Sequence, residues 1–386
     1  MVKPKLIEVK GVQFVNKGAE LMLYAIKQQI ENLWPNASVV LAPNPYSPYY
    51  ERVAVNAYQK LSLRKHRLDV NALSYQLPTK LKSYLKHSWG IITESDIDLV
   101  LDASGFAYGD QWGSLKIKHL TSELKRYHKN NIPYIFLPQA LGPFTRSKDI
   151  KQLKQGLPLA TFIAAREETS FEHIKSVIGK ADNLYQFPDF TNLVTGIVPD
   201  YFTGGDNKVL FIPNSNMVGA RNTHKPEWRT KYINVLLNGI QVVKEMGLEP
   251  VLLNHEGSGD AALCQQLKQQ SEIDIDIIEE PHPLKVKGII GASKAVVCSR
   301  FHGCVSSLSQ AVPCLGTSWS HKYERLFEDY EVKELLLEPN MDRLQFKKTL
   351  EQALTKETAQ QLAEKSEQLK KNTKELWANI KSTVEA

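Results

Sequence analysis

The chain has 386 residues, of which 42% are hydrophobic and 23% are charged. A chain of this length and composition can bury a sizeable core, which excludes a disordered protein and favours two domains over one. The formal net charge of +6 is small for the length. It favours anionic ligands or surfaces weakly and does not indicate a nucleic-acid-binding protein.

The four cysteines have no Cys-x-x-Cys spacing, and two of them fall in apolar strand-like runs, so we expect them to be reduced. The chain starts without the apolar stretch of a signal peptide, and no later segment has the length of a membrane span. A cytoplasmic location is therefore expected. No group of carboxylates has a convincing metal spacing, so neither a metal nor a cofactor is expected.

A strand, a glycine-bearing loop and a helix open the chain. Residues 6–9 form the predicted strand, and the loop at 11–20 contains Asn16 and Gly18. The apolar residues of the helix recur on one face, up to a stop at Pro35. Residues 39–41 return as strand. The loop's backbone amides are suited to approach a ligand, but a tight structural turn explains the two glycines equally well.

The segment at 78–89 is basic and carries a stripe of apolar residues at helical spacing, namely Leu81, Tyr84 and Leu85. Two functions fit such a helix. It can cover an acceptor groove, or it can rest on an anionic membrane surface such as the inner membrane. An ordinary surface helix is the third interpretation.

Three buried strands are predicted next, at 99–101, 134–137 and 162–165, and each ends in residues suited to a crevice. Because the carboxyl ends of parallel strands share one edge of a sheet, we expect the residues after each strand to line this crevice. The candidates are Ser104, Gln139 and Arg166. Arg166 has an alternative role as a surface partner of Glu167 or Glu168. Thr169 or Ser170 is the expected cap of the next helix. Asp189 either faces the cleft or caps a turn.

A turn-rich linker at 200–208 precedes a second alternation of strands and helices. Its strands are predicted at 209–212, 250–253 and 273–278, and its helices at 231–244, 259–270 and 283–292. The predicted domains are 1–200 and 201–355, followed by a charged helix at 356–386 that packs across them. The fold class is therefore α/β, with two facing Rossmann-like parallel sheets and a long C-terminal helix.

The chain is organised around residues 296–322, where basic residues follow two apolar runs. The run at 295–298 predicts a buried strand, and Arg300 and His302 follow it directly. Residues 303–311, starting at Gly303, predict a helix whose free N-terminal amides suit an anion. A second strand at 314–316 leads to His321 and Lys322. The alternative is a solvated loop with one buried histidine.

These residues resemble the polysaccharide pyruvyl transferase family. The resemblance rests on the stretch from Asn16 to Glu20, on Leu137 to Pro143, on Arg166 and on Pro188-Asp189. Its most specific element is Ser299-Arg300-Phe301-His302-Gly303, which a Val-Pro pair and Lys322 follow. The resemblance implies a fold similar to that of GT-B glycosyltransferases. It also implies phosphoenolpyruvate as donor substrate and a glycan or lipid-linked oligosaccharide as acceptor. The product would be a cyclic pyruvate ketal, with the acceptor on the side of domain 1–200 and the donor on the side of domain 201–355.

The chemistry of this donor suits the same residues. Guanidinium groups bind carboxylate and phosphate well, so Arg300 and Arg166 are expected to hold the donor from both domains. His302 is the expected proton-transfer residue, with His321 as a weaker candidate, and Lys322 neutralises the leaving phosphate. Asn16, Gly18, Ser104, Gln139 and Gly303 complete the candidate binding residues. The alternatives are a GT-B-type glycosyltransferase that uses a nucleotide sugar, and a non-catalytic glycan- or anion-binding protein.

Overall fold

A computed structural model describes residues 3–66, 68–219, 222, 225–318 and 320–386. The chain divides into two compact units. The N-terminal unit comprises Met1–Phe14, Met22–Phe190 and Asn372–Ala386, and the C-terminal unit comprises Val15–Leu21 and Thr191–Lys371. The units therefore separate after Phe190, earlier than the sequence analysis placed the boundary, and a short segment near the N-terminus belongs to the C-terminal unit.

The N-terminal unit is built on an eight-stranded parallel sheet with the order β10-β9-β8-β7-β1-β2-β3-β6. Its strands are β1 (Leu6–Lys10), β2 (Ser38–Leu41), β3 (Tyr58–Lys60), β6 (Ile91–Ile92), β7 (Leu99–Asp102), β8 (Tyr134–Gln139), β9 (Phe162–Ala165) and β10 (Leu184–Gln186), and β4 (Arg64–Lys65) and β5 (Leu68–Asp69) form a separate hairpin. Its helices are α1 (Lys17–Leu33), α2 (Tyr49–Ala54), α3 (Thr79–Trp89), α4 (Ser114–Lys129), α5 (Ser147–Gly156) and α6 (Glu168–Ile178). The first turn of α1 is the part that belongs to the C-terminal unit.

The C-terminal unit has a five-stranded parallel sheet with the order β13-β12-β11-β14-β15. Its strands are β11 (Lys208–Ile212), β12 (Glu249–Asn254), β13 (Asp276–Glu279), β14 (Ala295–Cys298) and β15 (Cys314–Gly316). Its helices are α7 (Trp228–Glu245), α8 (Gly257–Gln270), α9 (Pro283–Gly291), α10 (Phe301–Leu308), α11 (His321–Asp329), α12 (Arg343–Ala353) and most of α13 (Lys356–Glu385). The strand order reverses between β11 and β14, which is where ligands bind in doubly wound folds.

The buried strands have the continuous apolar sequences from which they were predicted. β7, β9 and β14 consist mainly of Leu, Val, Ile, Ala and Phe and are buried along their whole length, as strands covered by helices on both faces must be. The predicted alternation of strands and helices is therefore confirmed in both units. Among the described residues, no helix is long and apolar enough to cross a membrane.

Three local predictions were wrong. The helix after β14 begins at Phe301 rather than Gly303, so His302 lies in its first turn. Strand β13 begins at Asp276 rather than at residue 273, because residues 272–273 form a bend and the next two residues have no regular structure. Helix α6 is capped by the side chain of Glu167, which accepts a hydrogen bond from the Ser170 amide, and neither Thr169 nor Ser170 is the N-cap.

Helix α13 contributes to both compact units, with residues up to Lys371 in the C-terminal unit and the rest in the N-terminal unit. In the C-terminal unit, the Ser366 hydroxyl donates to the Ser309 carbonyl at 2.7 Å. In the N-terminal unit, the buried Trp377 ring meets the Phe190 ring edge-to-face. Leu362, Leu376 and Ile380 lie on the buried face of this helix.

Candidate functional site

The carboxyl ends of β11, β14 and β15 meet at one edge of the C-terminal sheet. In the sheet register, Cys298 lies between Ile212 and Gly316. The Ser299 amide then donates to the Ile212 carbonyl at 3.0 Å, which continues the ladder by one residue. The chain turns into α10 directly afterwards, with Arg300 as the N-cap. Arg300 and His302 therefore lie at the point where the strand order reverses.

Buried hydrogen bonds fix this turn through Ser299. Its carbonyl accepts from the Asn214 side chain at 2.7 Å and from the Tyr323 hydroxyl at 2.9 Å. Its hydroxyl oxygen accepts from the hydroxyls of Tyr232 and Thr317. Because all of these groups are buried and paired, the backbone that carries Arg300 is held in one conformation.

Two carboxylates of the same unit hold the Arg300 guanidinium. Nε and Nη2 donate to the two Asp260 oxygens at 2.7 and 2.6 Å, and Nη1 donates to Glu256. Burial alone would lower the pKa of Arg300, but its hydrogen bonds to Asp260 and the charges of Asp260 and Glu256 raise it on balance. These bonds occupy three of the guanidinium hydrogens, and an arginine has about five. Part of the fork remains available to another acceptor.

Asp260 and Glu256 are themselves positioned by their surroundings. Asp260 is fully buried in α8 and also accepts from the Ser215 amide at 2.9 Å. Glu256 directly precedes α8 and bonds both to Arg300 and to the Asn16 side chain. Burial raises the pKa of Glu256, the charge of Arg300 opposes this rise, and the balance is a raised pKa.

The first turn of α1 lies against this cluster. Asn16 Oδ1 accepts from the Ala19 amide at 3.1 Å, so Asn16 caps α1 while its side chain also bonds Glu256. The backbone of Gly18 lies directly against the His302 ring, because a Cβ atom at Gly18 would come within 2.2 Å of Nδ1. Only glycine fits this approach. The structure thus brings Asn16 and Gly18 together with Arg300 and His302.

His302 and Lys322 pack on the same aromatic ring. The half-buried His302 ring meets Phe301 edge-on, with 5.5 Å between centroids. Lys322 Nζ lies 5.0 Å from the centroid of the Phe301 ring. The predicted basic residues of the two strand ends therefore share one neighbourhood. The side chain of His321 lies outside the described residues.

Gly303 has a packing role that the sequence did not indicate. A Cβ atom there would approach Cys298 Sγ to 2.5 Å. The glycine therefore lets α10 pack closely on the end of β14, and Gly303 itself is buried. This close packing helps to fix the position of His302 in the first turn of the helix.

His255 is a member of the cluster that the sequence analysis missed. It follows β12 directly and is almost fully buried, and its Nδ1 has no hydrogen-bond partner among the described residues. Burial, together with the positive charges of Arg300, His302 and Lys17, lowers its pKa to about 3. His255 therefore stays neutral at physiological pH. The rule that led to Arg300, a polar residue at the carboxyl end of a parallel strand, also identifies His255.

The candidates of the N-terminal unit lie at the carboxyl ends of β7, β8 and β9. Ser104 donates both its amide, at 3.0 Å, and its hydroxyl, at 2.5 Å, to Asp102 Oδ1. Gln139 is fully buried and donates to the Asp102 carbonyl at 3.1 Å. The Arg166 amide donates in turn to the Gln139 carbonyl, so the three strand ends are linked.

Arg166 is not a surface residue. Its side chain is buried and Nη1 donates to Asp189 Oδ2 at 3.3 Å. The alternative of a surface pair with Glu167 or Glu168 is therefore wrong, since Asp189 is the partner and Glu167 caps α6. Asp189 is buried as well, and it does not act merely as a turn cap. A role of Arg166 in substrate binding stays a prediction.

A family model described as polysaccharide pyruvyl transferase matches residues 16–321. This range covers most of the chain and begins and ends at candidate site residues, Asn16 and His321. The chain belongs to the polysaccharide pyruvyl transferase family. Membership makes this protein a polysaccharide-modifying transferase and implies a glycan acceptor. No curated protein sequence matches the chain.

Solved structures of other proteins share the fold of this pyruvyl transferase family member. A UDP-N-acetylglucosamine 2-epimerase from Listeria monocytogenes superimposes with a TM-score of 0.58 and 12% identity, covering 100% of this chain and 97% of that one. Anabaena Alr3699/HepE in complex with UDP-glucose superimposes with a TM-score of 0.54 and 11% identity, covering 98% of this chain and 100% of that one. The Neisseria meningitidis UDP-GlcNAc 2-epimerase bound to UDP-GlcNAc superimposes with a TM-score of 0.53 and 11% identity, covering 96% of this chain and 94% of that one. The predicted fold class, similar to that of GT-B glycosyltransferases, is confirmed.

Proposed function

We propose that this transferase moves the pyruvyl group of phosphoenolpyruvate to two hydroxyls of a glycan and so forms a pyruvate ketal. The observation that carries the proposal is the convergence of Arg300, His302 and Lys322 on one sheet edge, in a member of the pyruvyl transferase family. Phosphoenolpyruvate is made in the cytoplasm, which is therefore the proposed location.

The reaction balances without an oxidant, a reductant or a metal. One glycan hydroxyl adds to C2 of the donor while C3 gains a proton and becomes a methyl group. The C2–O bond to the phosphoryl group then breaks, phosphate leaves, and the second hydroxyl adds to C2. Two C–O bonds form and one breaks. Of the two hydroxyl protons, one is accounted for in the methyl group and one in the released phosphate.

His302 is proposed to move these protons. Its ring is held between the Gly18 backbone and the Phe301 ring, which limits its rotation and fixes the direction of Nε2 and Nδ1. An imidazole has an ordinary pKa close to neutral pH, which suits it to both donate and accept a proton within one turnover.

The proposed role of Arg300 differs from that of a fork devoted to the donor. Asp260 and Glu256 hold the guanidinium in place, and the hydrogens that they leave are offered to the donor carboxylate or phosphate. Asp260 and Glu256 carry two negative charges against the single positive charge of Arg300, so Arg300 alone does not balance the charge of the donor. Lys322 therefore supplies charge that the donor phosphate needs as it leaves.

Binding and product formation test the proposal separately. Calorimetry with phosphoenolpyruvate, and with UDP-glucose as the rival donor, shows which donor the protein binds. Lys322→Gln should weaken phosphoenolpyruvate binding by about tenfold or more, because a charge-assisted contact is lost. Lys347→Gln is the matched control, since this lysine is an exposed residue of α12, and it should bind as the wild type does.

Product analysis completes the test. Incubation with phosphoenolpyruvate and a glycan should release phosphate and yield a glycan with the mass of a pyruvate ketal. Binding of UDP-glucose alone, with a glycosylated product, would replace the proposal with the glycosyltransferase alternative. Binding of glycan without any product would favour the non-catalytic alternative.

A further inference from the structure

Helix α3 (Thr79–Trp89) exposes most of its large apolar residues to the solvent, while Leu85 is half-buried. Leu81, Tyr84 and Trp89 are 42%, 57% and 63% exposed, and none of the eleven residues of the helix is buried. Two of the three lysines of the helix, Lys82 and Lys86, make contacts within the N-terminal unit. Lys82 Nζ lies 3.1 Å from Asp96 Oδ1, and Lys86 Nζ lies over the Tyr58 ring.

This arrangement differs from that of an ordinary surface helix. In water, an amphipathic helix turns its apolar stripe toward the core and its lysines toward the solvent. Helix α3 uses Lys82 and Lys86 for contacts within the unit and leaves large apolar side chains uncovered. A helix of this kind is explained by a second environment that covers its outer face.

Neighbouring segments extend the exposed apolar surface. Leu68, Val70 and Leu73 come just before α3 and are also exposed. Ser95 ties the two parts together, because its hydroxyl bonds to the Ser74 carbonyl at 3.1 Å and to Lys82 Nζ at 3.2 Å. We call the six residues the apolar patch: Leu68, Val70, Leu73, Leu81, Tyr84 and Trp89.

The sequence around the patch is strongly basic. Residues 61–93 contain six Lys or Arg residues and a single acidic residue, Asp69, whereas the whole chain has a net charge of +6. Most of the excess positive charge of the protein thus belongs to this one segment. Asp96 and Glu123 pair with two of the cations, while Lys65 and Lys80 stay exposed beside the patch.

We propose that the apolar patch docks on the surface of a membrane that contains anionic lipids. Leu81, Tyr84 and Trp89 would enter the boundary between headgroups and acyl chains, and the exposed lysines would contact the lipid phosphates. Exposed tryptophan and tyrosine side chains such as those of Trp89 and Tyr84 are typical of this interface.

Charge decides between a membrane and the other occupants. A symmetric pair of copies would place two strongly basic segments face to face, which repels them. A nucleic acid would pair with the lysines but would give no cover to Leu73 or Leu81. An anionic lipid surface satisfies both the charge and the apolar side chains. The inference does not depend on which donor the transferase uses.

Sedimentation with vesicles tests the proposal on the full chain. The protein should bind vesicles that contain phosphatidylglycerol and should bind phosphatidylcholine vesicles much more weakly. Lys65→Gln with Lys80→Gln should weaken binding by about fivefold per lysine, with the effect fading at high salt. Leu81→Ser with Tyr84→Ser should weaken it by about tenfold or more. Leu344→Ser is the matched control, because Leu344 is 60% exposed in the C-terminal unit, and it should bind normally.

Tryptophan fluorescence gives a second readout. The emission should shift to shorter wavelength on binding to anionic vesicles, and Trp89→Phe should remove most of that shift while the protein still sediments. Failure to bind anionic vesicles would overturn the proposal. So would a concentration-dependent dimer that Leu81→Ser with Tyr84→Ser dissolves, since a second copy would then cover the patch.

Discussion

Gly18→Ala is the sharpest test of the geometry around His302. A Cβ atom at position 18 would lie 2.2 Å from His302 Nδ1 and 2.6 Å from Cγ, whereas real Cβ contacts are essentially never shorter than 3.0 Å. Either the ring or the first turn of α1 must therefore move by at least about 0.8 Å. A shift of the ring moves Nδ1 away from its proposed proton-transfer position, and a shift of the helix turn removes the backbone against which the ring is held.

The magnitude of the effect follows from this displacement. A shift of about 1 Å in a catalytic group costs about 10²-fold in rate. Stability should change much less, because overpacking costs about 1–3 kcal/mol and replacing a helical glycine with alanine returns about 1 kcal/mol. We therefore expect a large loss of turnover with a net destabilisation of about 0–2 kcal/mol.

The assay combines glycan-dependent phosphate release with urea unfolding. Gly239→Ala in α7 is the matched control. Its Cβ atom would lie 2.4 Å from Phe346 Cζ, which is a similarly close contact outside the candidate site. It should lose a similar amount of stability and keep its turnover. In a His302→Ala background, Gly18→Ala should cost less than it does alone, since Nδ1 and Cγ are absent. Wild-type turnover and stability in Gly18→Ala would refute the placement of the ring.

Three further changes test the charged groups. His302→Gln should reduce turnover by about 10²- to 10⁴-fold with little change in donor affinity, and near-normal turnover would remove His302 from the mechanism. His255 has its pKa lowered to about 3, so the unfolded chain binds a proton that the folded protein does not. Stability should therefore fall as the pH drops from about 6.5 toward 3, and His255→Gln should flatten this dependence in chemical unfolding; an unchanged slope would contradict it. Asp189→Ala should cost about 3 kcal/mol or more by leaving Arg166 buried without this carboxylate, whereas Glu172→Ala, at an exposed ion pair, should cost less than about 1 kcal/mol. Equal losses in the two variants would mean that the buried pair adds nothing.

Local sequence patterns determined most of the strands, many of the helices and one part of the site, while the short strands β3, β6 and β10 were not predicted. The apolar run that became β14 is continuous in the sequence, and a buried parallel strand needs no other signal. The carboxyl ends of parallel strands share an edge, so the positions of Arg300 and Lys322 near one another followed from the order of elements alone. The first inference succeeds because it depends on residues only a few positions apart, and the second because adjacent parallel strands share an edge.

Only the tertiary structure decided what those residues touch. Arg300 is held by Asp260 and Glu256, which lie 40 and 44 positions earlier in the chain. Gly18 lies against the His302 ring, although most of the sequence separates these two residues. No periodicity encodes such contacts, because they depend on how separate elements pack. The same limit applies to α3. Its amphipathic stripe was readable, but the sequence could not show that Leu81 faces the solvent while Lys82 faces Asp96, since the direction of a helix face is set by the unit on which it packs.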